Sequence, residues 1–192
     1  MRAAGVRCPL VPAYGLALVG GCCGTAPEHL RQVVERVGGR EITARKPRPE
    51  AGISSLYQHV AFQQDTSYLA IGERTNANGS KAFREAMLEE RYDDCVEIAR
   101  SQTRDGSHLL DVCVDYVGRN GVDDMRAIAS RFATASTLPL VLDSTEPAVI
   151  EAGLECLGGR SVINSVNYED GDGPDSRLAR MTRLAVEHGA AL

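Results

Sequence analysis

The chain of 192 residues lacks long hydrophobic runs, basic stripes and low-complexity tracts. No run approaches the ~20 apolar residues of a membrane-spanning helix, so we expect no membrane partner. The net charge is -5 and the sequence has no basic stripe, which argues against a nucleic-acid partner. The six cysteines are unevenly spaced, as is typical of reduced cytosolic thiols rather than of a disulfide framework. We therefore predict a cytoplasmic globular protein.

Two adjacent cysteines, Cys22 and Cys23, stand among glycines between an apolar run and a helix start. Adjacent thiols suit a core poorly, but two thiolates on a tight loop suit one metal ion. Thr25 and Glu28 have the spacing of a capping box, and Pro27 fits the first helical turn. The segment therefore predicts a strand, a thiol loop and a helix. In β/α barrels that junction is where chemistry is placed.

A secretion signal with a lipid-modified cysteine is the alternative for residues 1–23, since Arg2 and Arg7 precede an apolar run. Pro9 and Pro12 would break the apolar helix of such a signal. The capped helix that follows the cysteines would have no role in it. We therefore favour the thiol loop.

Apolar strands alternate with amphipathic helices from Tyr68 onward. Repeated βα units predict an α/β protein with a parallel sheet and right-handed crossovers. Before them, the charged and proline-bearing residues 39–66 predict a connector. The predicted strands are 68–72, 108–114, 138–142 and 161–166, with another beginning at Ala190, and the predicted helices are 81–104, 122–135, 146–157 and 174–188.

Polar residues follow each predicted strand, at the edge where parallel sheets bind ligands. Asp and Asn also favour such positions because they bond to local backbone, so each residue alone also fits a structural role. Their repetition after four successive strands favours a binding site. The residues are Glu73, Asn76 and Asn78 after the first strand, Asp111 and Asp115 at the second, Asp143 at the third, and Asn164 and Asn167 at the fourth.

Two segments resemble the family of cobalamin-dependent methionine synthases. The motif GGCCGT at residues 20–25, with Pro27 and His29, is similar to the zinc loop of that family's homocysteine-binding barrel. The motif IGERTNANGS at residues 71–80 is similar to the opening of its folate-binding barrel, and the similarity continues to Leu192 through DVCVD, VLDST and INSVN. The two segments stand in the order that the family has.

The resemblance implies a partial TIM (β/α)8 barrel of about four βα units, preceded by the last strand and helix of another barrel. Residues 1–38 would end the homocysteine-binding domain, 39–66 would connect the domains, and 67–192 would form the first half of the pterin-binding domain. The family's reaction moves a methyl group from methyltetrahydrofolate through cobalamin to homocysteine and forms methionine. The chain would be part of such a methyltransferase.

The resemblance further implies that Asn76, Asp143 and Asn164 line the pterin pocket, with Asp111 as a rim carboxylate. A pterin ring presents amide and amino N–H groups along one edge. A carboxylate such as Asp143 can accept both, and Asn164 can donate as well as accept. Atom N5 must gain a proton before it leaves, so the site needs a network able to supply one. No catalytic residue is assigned.

The same resemblance makes Cys22 and Cys23 two of three zinc ligands. The family's first cysteine lies on an earlier strand of that barrel, and Cys8 is not in a matching context, so we expect an incomplete zinc site. The cobalamin-binding region and the second half of the folate barrel are not expected in this chain either. We therefore expect folate and homocysteine as ligands, the remainder of a methionine synthase as partner, and no activity of the chain alone.

Two other functions stay open. The first is a non-catalytic pterin-binding or interaction protein derived from the same barrel. The second is an independent zinc-thiolate protein that uses Cys22 and Cys23 with Cys8 or His29. Tight stoichiometric zinc would favour the second, and folate binding without zinc would favour the first.

Overall fold

The computed structural model describes residues 16, 18–39, 46, 48, 50–65 and 67–192. The chain divides into two compact units, Met1–Pro49 and Glu50–Leu192. The first unit contains helix α1, Pro27–Val37, none of whose residues is buried. Cys8 and most of the apolar run ahead of the thiol loop lie outside the described residues, as does the strand predicted there. Among the helices described, none combines the length and the apolar character needed to cross a membrane.

The start of α1 differs from the prediction. Its N-cap is Ala26, whose backbone N–H donates to Nδ1 of His29 at 3.0 Å. The Thr25 hydroxyl oxygen accepts the N–H of Cys22 at 2.9 Å instead. The predicted capping box of Thr25 and Glu28 is therefore wrong. Thr25 closes the thiol loop, and the imidazole of His29 accepts the N–H of the N-cap residue in place of Glu28.

Among its described residues, the second unit contains a four-stranded parallel sheet of β3 (Ile71–Gly72), β4 (Leu109–Cys113), β5 (Leu140–Asp143) and β6 (Val162–Asn164), which pair in that order. It also contains a two-stranded antiparallel hairpin and five helices between and after the strands. One parallel bridge, between Val162 and Ala191, continues the sheet past β6, as the strand predicted near Ala190 requires. The α/β class and the partial β/α barrel are confirmed. The strands are β1 Gly52–Ser54, β2 His59–Ala61, β3 Ile71–Gly72, β4 Leu109–Cys113, β5 Leu140–Asp143 and β6 Val162–Asn164; the helices are α2 Lys81–Leu88, α3 Tyr92–Arg104, α4 Gly121–Ala135, α5 Pro147–Leu154 and α6 Arg177–His188.

The two faces of the sheet differ in character. Successive strand residues point to opposite faces, so Leu110 and Val112 pack in the main core with the helices. Leu109 and Val141 point the other way and form a smaller core. Asp111 lies two residues after Leu109 and therefore shares its face. This face, which we term the inner face, carries polar groups toward the C-terminal ends of the strands.

The helix predicted over 81–104 is wrong, because the structure has two helices there, α2 and α3. Glu90 lies between them in the left-handed region, at φ 57°. Its N–H donates to the carbonyl of Met87 at 3.1 Å, and the N–H of Arg91 donates to that of Ala86 at 2.8 Å. This is the hydrogen-bond pattern of a Schellman motif, which ends a helix. Glycine normally occupies the left-handed position, so glutamate gave no signal of the break.

A hairpin occupies part of the stretch 39–66, where the sequence predicts no strand. Strands β1 and β2 pair antiparallel, with Ile53 opposite Val60. Ile53 is fully buried against the inner-face residues Leu109 and Val141. Ser54 exchanges two backbone hydrogen bonds with Arg160, at 3.0 and 2.9 Å, just before β6 begins. The hairpin therefore covers the end of the inner face opposite to the polar groups.

Candidate functional site

Asn76 joins two carboxylates at the C-terminal edge of the sheet. Its Oδ1 accepts the backbone N–H groups of Asn78 and Gly79, at 2.8 and 3.1 Å. Because the amide oxygen is held by these two donors, the amide nitrogen must face the opposite way. Nδ2 donates to Oδ2 of Asp111 at 2.8 Å and to Oδ2 of Asp143 at 3.1 Å. The turn after β3 thus fixes a donor between the ends of β4 and β5.

Burial makes the two carboxyl groups weaker acids than usual, because it disfavours their charged forms. Asp111 is only 6% exposed. The pKa of Asp111 is raised from 3.8 to about 6, chiefly by burial; the hydrogen bond from Asn76 opposes the rise, and the charges of Asp143 and Glu73 add to it. Burial also raises the pKa of Asp143, against the same opposing hydrogen bond. Further N–H donors that reached these oxygens would stabilise their charged forms.

A cavity of about 470 Å³ opens over the inner face. This volume lies in the range of small-molecule sites, roughly 300–1,000 Å³. Asn164 is in register with Asp143 and lines the same cavity. Glu73 and apolar residues line the rest of it, so the cavity has carboxylates and amides beside a hydrophobic surface. Its lining residues are Phe62, Leu69, Ile71, Glu73, Asn76, Leu109, Asp111, Val141, Asp143, Val162, Ile163, Asn164 and Leu192.

The structure therefore brings together all four residues predicted for the pterin pocket: Asn76, Asp111, Asp143 and Asn164. Asn76 directly contacts two of them, and Asn164 is placed beside them by strand pairing.

The other polar residues predicted at the rim have different surroundings. Glu73 lines the cavity. Asn78 is exposed, and its amide nitrogen lies 3.5 Å from the sulfur of Cys113. The Asp115 carboxylate accepts from Ser144 instead of lining the cavity. Asn167 does not line the cavity either.

Cys113 is a residue that the sequence analysis did not propose. It is buried at the end of β4, in register with Asp143. Burial raises the pKa of its thiol to about 12, so the thiol stays protonated at neutral pH. The alternation of side chains along a strand could have predicted its position, since Cys113 lies two residues after Asp111 and therefore on the same face of β4.

Cys22 and Cys23 are both exposed on the thiol loop. In the part of the chain that the structure describes, no group of three or more His, Cys, Asp or Glu residues is arranged to hold a metal ion. A zinc site needs at least three protein ligands. The described residues therefore do not fit a complete zinc site.

These features define a class: a β/α-barrel ligand-binding domain with its site at the C-terminal ends of the strands. The family model described as pterin binding enzyme matches residues 72–192. It covers more than half of the chain, and the chain belongs to this family. The model described as homocysteine S-methyltransferase matches residues 3–37.

Two curated relatives agree with both matches. The methionine synthase of Mycobacterium tuberculosis (strain ATCC 25618 / H37Rv) is 62% identical over 182 residues, which is 95% of this chain and 15% of that protein. The methionine synthase of Mycobacterium leprae (strain TN) is 58% identical over 192 residues, 95% of this chain and 16% of that protein. The resemblance stated from the motifs is confirmed, and so is membership of a methyltransferase family. The chain spans less than a fifth of the length of these relatives.

Proposed function

We propose that this chain binds methyltetrahydrofolate, as part of a methionine synthase that transfers the methyl group through cobalamin to homocysteine. The observation that carries the proposal is the contact of Asn76 with Asp111 and Asp143 inside the cavity. The pterin-binding family match over residues 72–192 supports it. Methyl transfer belongs to the relatives' whole chains, and we propose that this chain alone binds folate without turnover.

Recognition of the pterin rests on donors and acceptors. The ring's amide and amino N–H groups donate to the Asp143 carboxylate, which is half-buried at the cavity wall. Asn164, in register with Asp143, supplies both a donor and an acceptor to the ring edge. Charge-assisted hydrogen bonds of this kind are about twice as strong as neutral ones. The apolar residues of the inner face, such as Val141 and Val162, contact the ring surface.

Proton supply to the pterin rests on the same network. The methyl group leaves from N5, which must gain a proton. Asp111 has a pKa raised to about 6, so it takes up and releases protons close to neutral pH. Asn76 connects it to Asp143. We propose that Asp111 holds the proton of this network.

We also propose the division of the chain that its motifs predict. Residues 1–38 end a homocysteine-binding domain, residues 39–66 connect, and residues 67–192 begin a pterin-binding domain. Cys22 and Cys23 would supply two zinc ligands within the first. The partner of the chain is the remainder of a methionine synthase, and the proposed location is the cytoplasm.

Calorimetric titration of methyltetrahydrofolate into the 192-residue chain tests the proposal. We expect saturable one-to-one binding that a free pterin competes for. The p-aminobenzoylglutamate part of folate, which has no pterin ring, should not compete. Binding that p-aminobenzoylglutamate displaces would place the ligand elsewhere, and a folded chain that binds no folate would refute the proposed function.

A further inference from the structure

The two residues that follow Asp143, Ser144 and Thr145, are held by a carboxylate on one side. Oδ1 of Asp115 accepts the hydroxyl of Ser144 at 2.8 Å, and Oδ2 accepts it at 3.0 Å. Oδ2 also accepts the backbone N–H of Thr145 at 3.1 Å. Asp115 lies just past the end of β4, so it ties the end of β5 to its neighbour.

A guanidinium holds the same two residues from the other side. Arg177, the first residue of α6, donates from Nη2 to the carbonyl of Ser144 at 2.9 Å and from Nη1 to the carbonyl of Thr145. Its Nε donates to the carbonyl of Ser165, which follows β6, at 2.9 Å. A lysine has no planar fork, so it could not reproduce this geometry.

These contacts surround the ligand-facing residues without touching the cavity. The N–H of Ser144 donates to the carbonyl of Asn164 at 3.1 Å. Arg177 also binds the carbonyl of the residue directly after each of them: Ser144 follows Asp143, and Ser165 follows Asn164. Ser144 is only 2% exposed, so water competes little for its bonds. Neither Asp115 nor Arg177 lines the cavity.

We propose that Asp115 and Arg177 are positioning residues that set the locations of the Asp143 carboxylate and the Asn164 amide. They act through Ser144, Thr145 and Ser165, and they determine folate affinity without contacting the ligand. The part of the proposal that concerns affinity rests on the proposed function. The part that concerns the strand ends stands on the hydrogen bonds alone.

Amide hydrogen exchange, measured without added folate, tests whether Asp115 and Arg177 hold the strand ends. We expect Arg177→Gln and Asp115→Asn to speed exchange at Ser144 and Thr145, while exchange in the strand interior at Val112 stays unchanged. Arg183→Gln is the matched control, because Arg183 is an exposed arginine on the same helix α6. Unchanged exchange at Ser144 and Thr145 in both variants would overturn the proposal.

A double-mutant cycle on methyltetrahydrofolate affinity tests whether the two residues determine folate binding. We expect Arg177→Gln to weaken binding about ten-fold, on the scale of one charge-assisted hydrogen bond. In an Asp143→Asn background the same change should weaken binding much less, because the carboxylate that it positions is gone. Equal effects in both backgrounds would mean general destabilisation and would overturn the positioning role. Rescue by Arg177→Lys would also contradict it, since lysine lacks the fork.

Absence of binding by the wild type would have a different meaning. It would refute the proposed function, because no variant is involved. The exchange measurement would then still decide whether the two charges hold the strand ends.

Discussion

Asn76 is the residue that connects two of the site's carboxylates, Asp111 and Asp143. Its oxygen is occupied by the backbone of its own turn, so its nitrogen has to serve both Asp111 and Asp143. One amide gives two hydrogens to two acceptors, the buried Asp111 and the half-buried Asp143, each of which keeps lone pairs free. The carboxylates therefore have further acceptor capacity, which a ligand rich in N–H groups would use.

Replacing Asp143 by Asn should weaken folate binding while leaving the fold nearly intact. The change removes a charged acceptor worth roughly 1.5–3 kcal/mol, so the dissociation constant should rise about ten-fold or more. Calorimetry on the variant measures it, with the exposed Asp172→Asn as the control. An unchanged dissociation constant in Asp143→Asn would make this residue structural.

The raised pKa of Asp111 predicts how stability depends on pH. Below pH 3.8 the carboxyl is protonated in the folded and unfolded chain alike; between 3.8 and about 6 the unfolded chain releases the proton first. The folded chain then binds more protons, so the free energy of unfolding falls as pH rises across that interval. Asp143, also raised, contributes in the same direction.

Urea unfolding of the wild type and of Asp111→Asn from pH 4 to 7 measures this dependence. Asparagine does not titrate but can still accept from Asn76. The variant should therefore gain stability relative to the wild type as pH rises, and the gain should level off above about pH 6. Parallel profiles for the two proteins would show that Asp111 is not the titrating group.

At the scale of elements, the break between α2 and α3 rests on an unfavourable backbone at Glu90. A left-handed residue with a Cβ costs roughly 1–2 kcal/mol. Glu90→Gly should therefore increase the free energy of unfolding by about 1 kcal/mol and raise the midpoint of thermal unfolding. Glu89→Gly is the matched control, since Glu89 has φ -91° and gains nothing from glycine. Calorimetry that found Glu90→Gly as destabilising as Glu89→Gly would contradict a strained Glu90.

Ile53 should carry most of the hairpin's contribution to stability. It is fully buried, and truncating a buried isoleucine to alanine costs about 2–5 kcal/mol. Ile53→Ala should lower the free energy of unfolding by that amount. The control is Val186→Ala, at a residue 78% exposed on α6. Urea denaturation measures both; a loss at Ile53 no larger than that at Val186 would mean that the hairpin is not part of the cooperative fold.

These elements also show what the sequence could predict. The strands and the polar rim could be predicted, because periodicity and strand ends are local patterns. The break at Glu90 carries no glycine or proline, and the hairpin's strands have only three residues each. Arg177 binds Ser144, which lies 33 residues away, so nothing near it in the sequence marks its role. What could not be predicted depends on contacts between distant segments.

At the scale of the whole molecule, the described sheet has an open edge and an open face. Within the part of the chain that the structure describes, β3 pairs only with β4, so one side of its backbone lacks a strand partner. Inner-face cavity residues remain exposed to solvent, including Ile71 at 50% and Leu192 at 54%. Edges and apolar faces of this kind favour association.

We therefore predict that the chain expressed by itself associates, either with another copy or with a complementary segment of a methionine synthase. Size-exclusion chromatography over a range of concentrations should give an apparent mass that rises with concentration. Ile71→Lys should shift the distribution toward the monomer, because an inward-pointing charge on an edge strand opposes pairing. Val186→Lys, an exposed change on α6 away from the sheet, should leave the distribution as it is. A wild-type chain that stays monomeric, with a sharp and reversible calorimetric transition, would show that the open edge and face are tolerated in a self-sufficient domain.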